Sequence, residues 1–91
     1  MPWFVYIVRC RDGSLYTGVS TDPGRRIAEH NGDDARGSKY TRSRRPVEMV
    51  YCEPCIDHSA SLQRERVIKR MNRSNKLSLI GEQVIPEAGA I

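Results

Sequence analysis

Two apolar segments separated by a tight turn constrain the fold more than any other feature of the sequence. Residues 3–8 are rich in aromatic and β-branched side chains, which β-strands favour. The Asp12-Gly13 pair follows and supplies the positive-φ position that a hairpin turn needs. Residues 15–19 form the predicted return strand, where Gly18 indicates a bulge or a close approach of another group to the backbone. The chain is therefore expected to begin with an antiparallel hairpin.

The next segment predicts a helix, a polar loop and a third strand. Asp22 is the expected N-cap of the helix, Pro23 takes its first position, and Gly32 can end it. Residues 32–45 show no apolar periodicity and are expected to form a basic loop. Residues 46–52 alternate between apolar and polar side chains, as a half-buried strand does.

The last part of the domain predicts two helices. Ser59 is expected to cap the first of them, and a break at residues 72–74 separates it from the second. The apolar contacts of the first helix are expected from Leu62, Val67, Ile68 and Met71. The order β-β-α-β-α-α predicts an α/β fold of the α+β type, with a three-stranded, mainly antiparallel sheet flanked by helices. A single domain is expected over residues 1–80, and a flexible tail over residues 81–91.

Basic residues are concentrated in one part of the chain. The whole chain holds 15 Lys and Arg against 11 Asp and Glu, which gives a net charge of +4. Residues 36–76 hold 11 of those 15 and carry +7, which leaves −3 for the rest. Most are arginines, whose planar fork suits bidentate phosphate contacts. Two interpretations stay open at this point: a nucleic-acid partner, which is slightly favoured, and a solvated basic face that keeps the protein soluble.

Composition excludes several other classes of protein. A chain of 91 residues that is 38% hydrophobic can fill one small core, and no apolar run approaches the roughly 20 residues that span a membrane. Three cysteines are too few for a disulfide scaffold, so a reducing, cytoplasmic location is expected. Cys52 and Cys55 form a C-x-x-C with His58 nearby. Zinc or redox chemistry there is a minor alternative to an ordinary loop pair after the third strand.

Five side chains at separated positions offer the groups that phosphodiester cleavage requires. Tyr6 and Tyr16 lie on adjacent strands at similar distances from the turn and are expected to approach each other across the ladder. Arg26 and His30 are four residues apart on one helix face, and Glu65 lies in the later helix. Cleavage needs a base for water, a cation for the developing charge and a metal ligand. Taken singly, each residue also has an ordinary structural explanation.

These positions resemble the pattern of a known family, the GIY-YIG nuclease superfamily. The matching set consists of the tripeptides at residues 4–6 and 16–18, followed by Arg26, His30 and Glu65. Longer stretches are similar to its small stand-alone bacterial (YhbQ-like) members, namely residues 6–18, 39–47 and 65–69. The resemblance covers about residues 3–80. The tripeptides alone are weakly specific, whereas the ordered set of positions is specific.

The resemblance implies a role for each member of the set. Tyr6 and Tyr16 match the two motif tyrosines, of which Tyr16 is the expected base for the attacking water. Arg26 matches the arginine that stabilises the scissile phosphate, and His30 matches a position that relays a proton or contacts phosphate. Glu65 matches the single protein ligand of one divalent cation, Mg²⁺ or Mn²⁺.

Some positions depart from the family pattern, and others imply contacts with DNA. Phe4 replaces the first motif glycine, Thr17 replaces the middle isoleucine, and Val19 stands where some relatives carry a lysine. Gly18 would let the backbone approach the active site. The resemblance and the charge pattern assign nucleic-acid contacts to Gly18, Lys39, Tyr40, Arg42, Arg44, Arg45 and Lys69.

The activity that the resemblance implies is that of a metal-dependent DNA endonuclease in repair or recombination. With no specificity domain expected, it would be structure-selective or of low specificity, acting on branched, nicked or single-stranded DNA, or would take its specificity from a protein partner. The alternative is a nucleic-acid-binding module on the same fold without significant catalysis. Glu65 favours the enzyme, because a pure binding module has no need for a carboxylate there.

Overall fold

A three-stranded sheet is the centre of the computed structural model, which describes residues 2–32 and 39–82. The strands β1 (Trp3–Arg9), β2 (Leu15–Ser20) and β3 (Glu48–Cys55) lie in the order β2-β1-β3, and both pairs are antiparallel. Gly13, in the turn between β1 and β2, has a φ of 86°, which glycine adopts without steric cost. The predicted hairpin and the antiparallel sheet are confirmed.

Helices precede and follow β3 in the described part of the chain. α1 (Pro23–Gly32) and α2 (Lys39–Arg42) lie between β2 and β3, and α3 (His58–Arg70) and α4 (Arg73–Glu82) follow β3. The order is therefore β-β-α-α-β-α-α, because part of the predicted loop forms the short helix α2. This helix has no apolar periodicity, and its buried Thr41 makes a polar contact with His30 instead. Residues 33–38 and most of the predicted tail, 83–91, lie outside the described residues.

The sheet buries a separate cluster of side chains on each face. The cluster covered by α3 and α4 contains Val5, Ile7, Tyr51 and Ile68, with Leu79 and Ile80 packed against it. The opposite cluster contains Tyr6, Val8, Cys10 and Val47, with Tyr16 and Ile27 packed against it. Because successive residues of a strand point to opposite faces, β1 is buried on both sides. This alternation places Tyr6 on the same side of the sheet as α1.

The N-terminus of α3 differs from its prediction. Asp57, not Ser59, is the N-cap. Asp57 has extended backbone angles, and its carboxylate accepts a hydrogen bond from the amide of Ala60 at 2.8 Å. A carboxylate reaches the free amides of the first turn in this geometry, so the helix begins two residues earlier than Ser59 would allow.

The packing of α3 also corrects a prediction. Ile68 is fully buried as expected, whereas Leu62 and Val67 are 38% and 50% exposed. Ser61 is fully buried in their place, and its hydroxyl donates to the carbonyl of His58 at 2.7 Å. Ser61 and Ile68 are seven residues apart and therefore lie on one face of the helix, while Leu62 and Val67 flank that face.

The C-x-x-C pair lies within β3, so the prediction of a loop pair after the third strand is wrong. Residues three apart on a strand are separated by about 10 Å and point to opposite faces, which is too far for a disulfide. Cys52 pairs with Tyr6 of β1, whereas Cys55 packs on the cluster around Val5. Both are free thiols. This geometry does not support a redox role.

Two absences among the described residues also bear on function. Residues 2–32 and 39–82 contain no group of three or more His, Cys, Asp or Glu that could hold a metal ion, so the predicted zinc alternative finds no support there. Among the same residues, no helix combines the length and the apolar character needed to cross a bilayer.

Candidate active site

Tyr6 lies at the centre of the candidate site, and Gly18 makes room for it. The β1–β2 register places these two residues opposite each other. A Cβ atom at Gly18 would lie 2.6 Å from the Tyr6 hydroxyl oxygen and 2.7 Å from its Cζ. No real Cβ approaches other atoms so closely, so a side chain at this position would displace the phenol. The close approach at Gly18 that the sequence indicates is therefore made by Tyr6.

The two motif tyrosines lie on one face of the hairpin as diagonal neighbours. Tyr16 pairs with Val8, two residues along β1 from Tyr6, so the tyrosines are not direct cross-strand partners. Both rings contact His30 of α1 edge-on, with ring centroids 6.3 Å apart for Tyr6 and 5.4 Å for Tyr16. The imidazole therefore joins α1 to both strands of the hairpin.

His30 is fully buried, and both of its ring nitrogens have polar neighbours. Nε2 lies 3.1 Å from the hydroxyl of Tyr6, and Nδ1 lies 2.8 Å from Oγ1 of Thr41. Burial, followed by the nearby charge of Arg26, lowers the pKa of His30 to about 4, and Arg45 acts in the same direction against Glu29. The imidazole is neutral at pH 7. With no exposed surface, it offers no atom for the direct phosphate contact that the resemblance allows.

Arg26, one turn before His30 on α1, presents its guanidinium to Tyr6. The side chain is 29% exposed, and Nη1 lies 3.0 Å from Oε1 of Glu29. Burial acts to lower the pKa of Arg26, but the hydrogen bond to Glu29 and the nearby Tyr6 hydroxyl outweigh it and raise the pKa. Arg26 thus supplies a fixed positive charge that is partly open to solvent.

The phenol of Tyr6 stays protonated near neutral pH. Burial is the main cause that raises its pKa to about 12, and the charges of Tyr16 and Glu65 act in the same direction. The nearby charge of Arg26 opposes them without reversing the shift. A buried phenol with this pKa is a poor base, whereas Tyr16 is only partly buried. The geometry therefore favours Tyr16 over Tyr6 for proton removal from water.

Glu65 approaches this cluster from α3, which packs against both β1 and β2. Its side chain is 20% exposed, and Oε2 lies 3.3 Å from Nζ of Lys69. The negative charge of Glu65 acts to raise the pKa of Tyr6. Mg²⁺ is usually held by one or two carboxylates and several waters, so a single accessible carboxylate suits such an ion.

The segment around α2 packs against the hairpin through Tyr40. The ring of Tyr40 stacks on Tyr16 with centroids 5.6 Å apart, and the guanidinium carbon of Arg44 lies 4.1 Å from the Tyr40 centroid. Arg44 also donates to Asp12 at 3.1 Å and to the Tyr40 carbonyl at 2.8 Å. Arg44, expected to contact DNA, therefore holds α2 against the β1–β2 turn in this structure.

The other residues expected to contact nucleic acid are placed differently. Arg45 is turned inward, and its Nε donates to the carbonyl of His30 at 2.6 Å. Arg42 is exposed at the end of α2, and Lys69 is exposed beside Glu65. The backbone of Lys39 begins α2, but its side chain lies outside the described residues.

Sequence reasoning missed several residues near the site. Thr41 carried no signal, because an isolated threonine in a polar segment does not reveal a buried hydrogen bond. Arg66, Arg70 and Arg73 are exposed beyond Glu65, and the structure as described gives them no ion pair. Arg66 and Arg70 are four residues apart on one face of α3, and this spacing is a signal that could have found them, whereas Arg73 begins α4.

This fold and this arrangement of side chains define the class of protein. Residues 2–78 match the family described as the GIY-YIG catalytic domain. Because the match spans most of the chain, the chain belongs to the GIY-YIG nuclease family. Domains of this family are nucleases that act on DNA, and they generally use divalent metal ions.

The chain is also similar to individual proteins of the UPF0213 group. It is 54% identical over 78 residues to one from Desulfotalea psychrophila, which covers 86% of this chain and 70% of that protein. It is 51% identical over 79 residues to one from Staphylococcus epidermidis, which covers 87% of this chain and 94% of that protein.

Two solution NMR structures share the fold. The UPF0213 protein of Bacillus halodurans is 34% identical and has a TM-score of 0.61, with 99% of this chain and 94% of that chain covered. A protein from E. faecalis is 35% identical and has a TM-score of 0.59, with 87% and 83% covered. The predicted fold class and family resemblance are thereby confirmed.

Proposed function

We propose that this chain is a metal-dependent endonuclease that hydrolyses phosphodiester bonds in DNA. The observation that carries the proposal is the convergence of three elements on the Tyr6 hydroxyl of β1. β2 brings Tyr16, α1 brings Arg26 and His30, and α3 brings the charge of Glu65. A packed core has no need to gather a guanidinium, an imidazole, a carboxylate and a second phenol around one buried phenol.

The residues take different parts in the proposed reaction. Tyr16 accepts the proton of the attacking water, since its ring is partly exposed while Tyr6 stays protonated. Arg26 stabilises the charge that develops on the phosphate oxygens, with its guanidinium held by Glu29. Glu65 is the residue that would hold the divalent cation, Mg²⁺ or Mn²⁺. When bound, that ion supplies further positive charge for the phosphate.

DNA would lie along the basic surface around these residues. Arg42 on α2 and Lys69 on α3 are exposed, and the exposed Arg66 and Arg70 of α3 and Arg73 of α4 add positive charge. Such contacts bind the phosphate backbone and carry no sequence information. We therefore propose structure-selective or low-specificity cleavage, in DNA repair or recombination, of branched, nicked or single-stranded substrates. A protein partner would be a second source of specificity.

A cleavage assay tests this function. The purified protein is incubated with branched, nicked and single-stranded DNA in the presence of Mg²⁺ or Mn²⁺, and with EDTA. Cleavage that requires the ion and is lost in Glu65→Gln supports the proposal. Glu48→Gln is the matched control, because Glu48 is an exposed acid paired with Arg9 outside the site. Cleavage that survives in Glu65→Gln would contradict the metal role of this residue.

The second candidate function is DNA binding without significant catalysis. The exposed arginines of α3 and α4 favour it, since they can hold phosphates whether or not Glu65 holds an ion. Under this alternative the protein binds the same substrates but leaves them uncut with either ion. Binding that persists in Glu65→Gln, together with intact DNA, would support the module over the enzyme.

A further inference from the structure

We propose that Thr41 and His30 are positioning residues that hold a one-way chain of hydrogen bonds from the Tyr6 hydroxyl. In this chain Tyr6 donates to Nε2 of His30, and Nδ1–H of His30 donates to Thr41. The catalytic consequence rests on the proposed nuclease function, whereas the direction of the bonds does not. The chain assigns to His30 a fixed acceptor role in place of proton relay or phosphate contact.

The direction of the first bond follows from the burial of the phenol. The Tyr6 hydroxyl is buried, and a buried O–H needs an acceptor. Among the residues that the structure describes, His30 Nε2 at 3.1 Å is the atom placed to accept it. Nε2 is therefore unprotonated.

The direction of the second bond follows from the first. A neutral imidazole carries one N–H, so an unprotonated Nε2 puts the proton on Nδ1. Oγ1 of Thr41 lies 2.8 Å from Nδ1 and accepts it. The hydrogen bond at one ring nitrogen of a histidine usually selects its tautomer. Thr41 is itself fully buried on α2, so the acceptor is fixed in place.

The charged groups around His30 support a neutral ring. Arg26 on α1 and Arg45 after α2 both disfavour the imidazolium form, and Glu29 opposes them. The aromatic neighbours are Tyr6 and Tyr16. A proton relay would move a proton from a phenol that burial makes less acidic to an imidazole that burial makes less basic. A fixed acceptor requires no such transfer.

A fixed Tyr6 proton also affects Arg26. With its proton committed to His30, the Tyr6 oxygen presents lone pairs to the nearby positive charge of Arg26, which acts on this phenol. The guanidinium itself is held by Glu29, whose Oε1 lies 3.0 Å from Nη1. A side chain oriented by both groups loses less freedom when it binds the phosphate, so the loss of Thr41 should reduce the rate through Arg26.

Nitrogen NMR of the full chain tests the tautomer directly and needs no enzymatic activity. The ¹⁵N shifts of His30 should show a protonated Nδ1 and an unprotonated Nε2 from about pH 5 to 8. His58 is exposed but stacks on Trp3, so free histidine in the same buffer provides the reference for a ring in solvent. In Thr41→Val the Nδ1–H preference should be lost or the two tautomers should mix. A protonated Nε2 in the wild-type chain would overturn the proposal, even if the chain cleaves DNA.

Kinetics separate a positioning role from a proton relay. Thr41→Val should lower kcat about tenfold with little change in KM, and Thr41→Ser, which keeps Oγ, should restore it. His30→Gln keeps an acceptor for Tyr6 but cannot act as a base, so it should retain at least tenfold more activity than His30→Ala. If His30→Gln is as inactive as His30→Ala while both remain folded, His30 is a relay and the proposal fails.

Discussion

The ammonium group of Lys69 lies 3.3 Å from a carboxylate oxygen of Glu65, one helical turn away on α3. The cation and the carboxylate thus meet at the edge of the candidate site. An ion pair of this spacing contributes a few tenths of a kcal/mol in an exposed helix. Lys69 therefore balances the charge of Glu65 and competes weakly with a divalent cation for it.

Removal of Lys69 should strengthen cation binding and weaken DNA binding. In Lys69→Gln we expect about a twofold lower Kd for Mn²⁺ measured calorimetrically without DNA, since about 0.4 kcal/mol of competition is lost. Affinity for DNA should fall, because one exposed positive charge is removed. Arg70→Gln is the matched control for cation binding, because it removes a charge from α3 without breaking a bond to Glu65. Equal cation affinities in the two variants would contradict this account of Glu65.

Substitution of Gly18 should displace Tyr6 and damage both stability and activity. The Cβ of Gly18→Ala would lie 2.6 Å from the Tyr6 hydroxyl, and overpacking of this kind costs about 1–3 kcal/mol. Gly81→Ala is the control, because a Cβ there has no atom within 4 Å. Urea unfolding should show a lower free energy of unfolding for Gly18→Ala only. Equal stability of the two variants would show that the phenol can move aside.

Acid should destabilise the protein through His30. Its pKa is about 4 in the folded chain and 6.5 in the unfolded chain, so between these values the unfolded chain binds more protons. Stability contributed by the neutral ring is complete above about pH 6.5 and is lost as the pH falls towards 4. The loss is about 3 kcal/mol at most. Urea unfolding between pH 4 and 7 should show this slope in the wild type.

The slope should be absent in His30→Gln, which has no group that titrates in this range. Asp12 titrates below it, because its hydrogen bonds with Ser14 lower its pKa. A pH dependence that is the same in wild type and His30→Gln would mean that His30 accepts a proton in the folded state.

The exposed arginines beyond Glu65 should account for part of the salt dependence of DNA binding. Each arginine that contacts a phosphate contributes about 0.9 to the slope of log affinity against log salt for duplex DNA. We therefore expect the triple variant Arg66→Gln, Arg70→Gln, Arg73→Gln to have a clearly shallower slope, measured in the Glu65→Gln background. The control Arg9→Gln should keep it, since Arg9 pairs with Glu48 outside the site. If the triple variant and its Glu65→Gln parent have equal slopes, these arginines do not contact the phosphates of DNA.

The fold could be predicted from the sequence to a large extent because its elements depend on local chemistry. The hairpin follows from apolar segments on either side of Asp12-Gly13, and the start of α1 from Pro23. Helix α2 could not be predicted, because a buried hydrogen bond between Thr41 and His30 replaces the apolar pattern. The N-cap of α3 was misplaced because Asp57 and Ser59 both suit a cap, and only the backbone angles at Asp57 decide between them.

The candidate site was predictable in its membership but not in its electrostatics. The sequence by itself determined which groups are present and that Tyr6, Tyr16 and Arg26 come from a hairpin and the helix after it, because those depend on strand alternation and helical spacing. Only the tertiary structure decided that Tyr6 lies over Gly18, that His30 is neutral and enclosed, and that Arg44 pairs with Asp12. The physical reason is that burial and hydrogen-bond direction depend on the packing of α1 and α2 against the sheet.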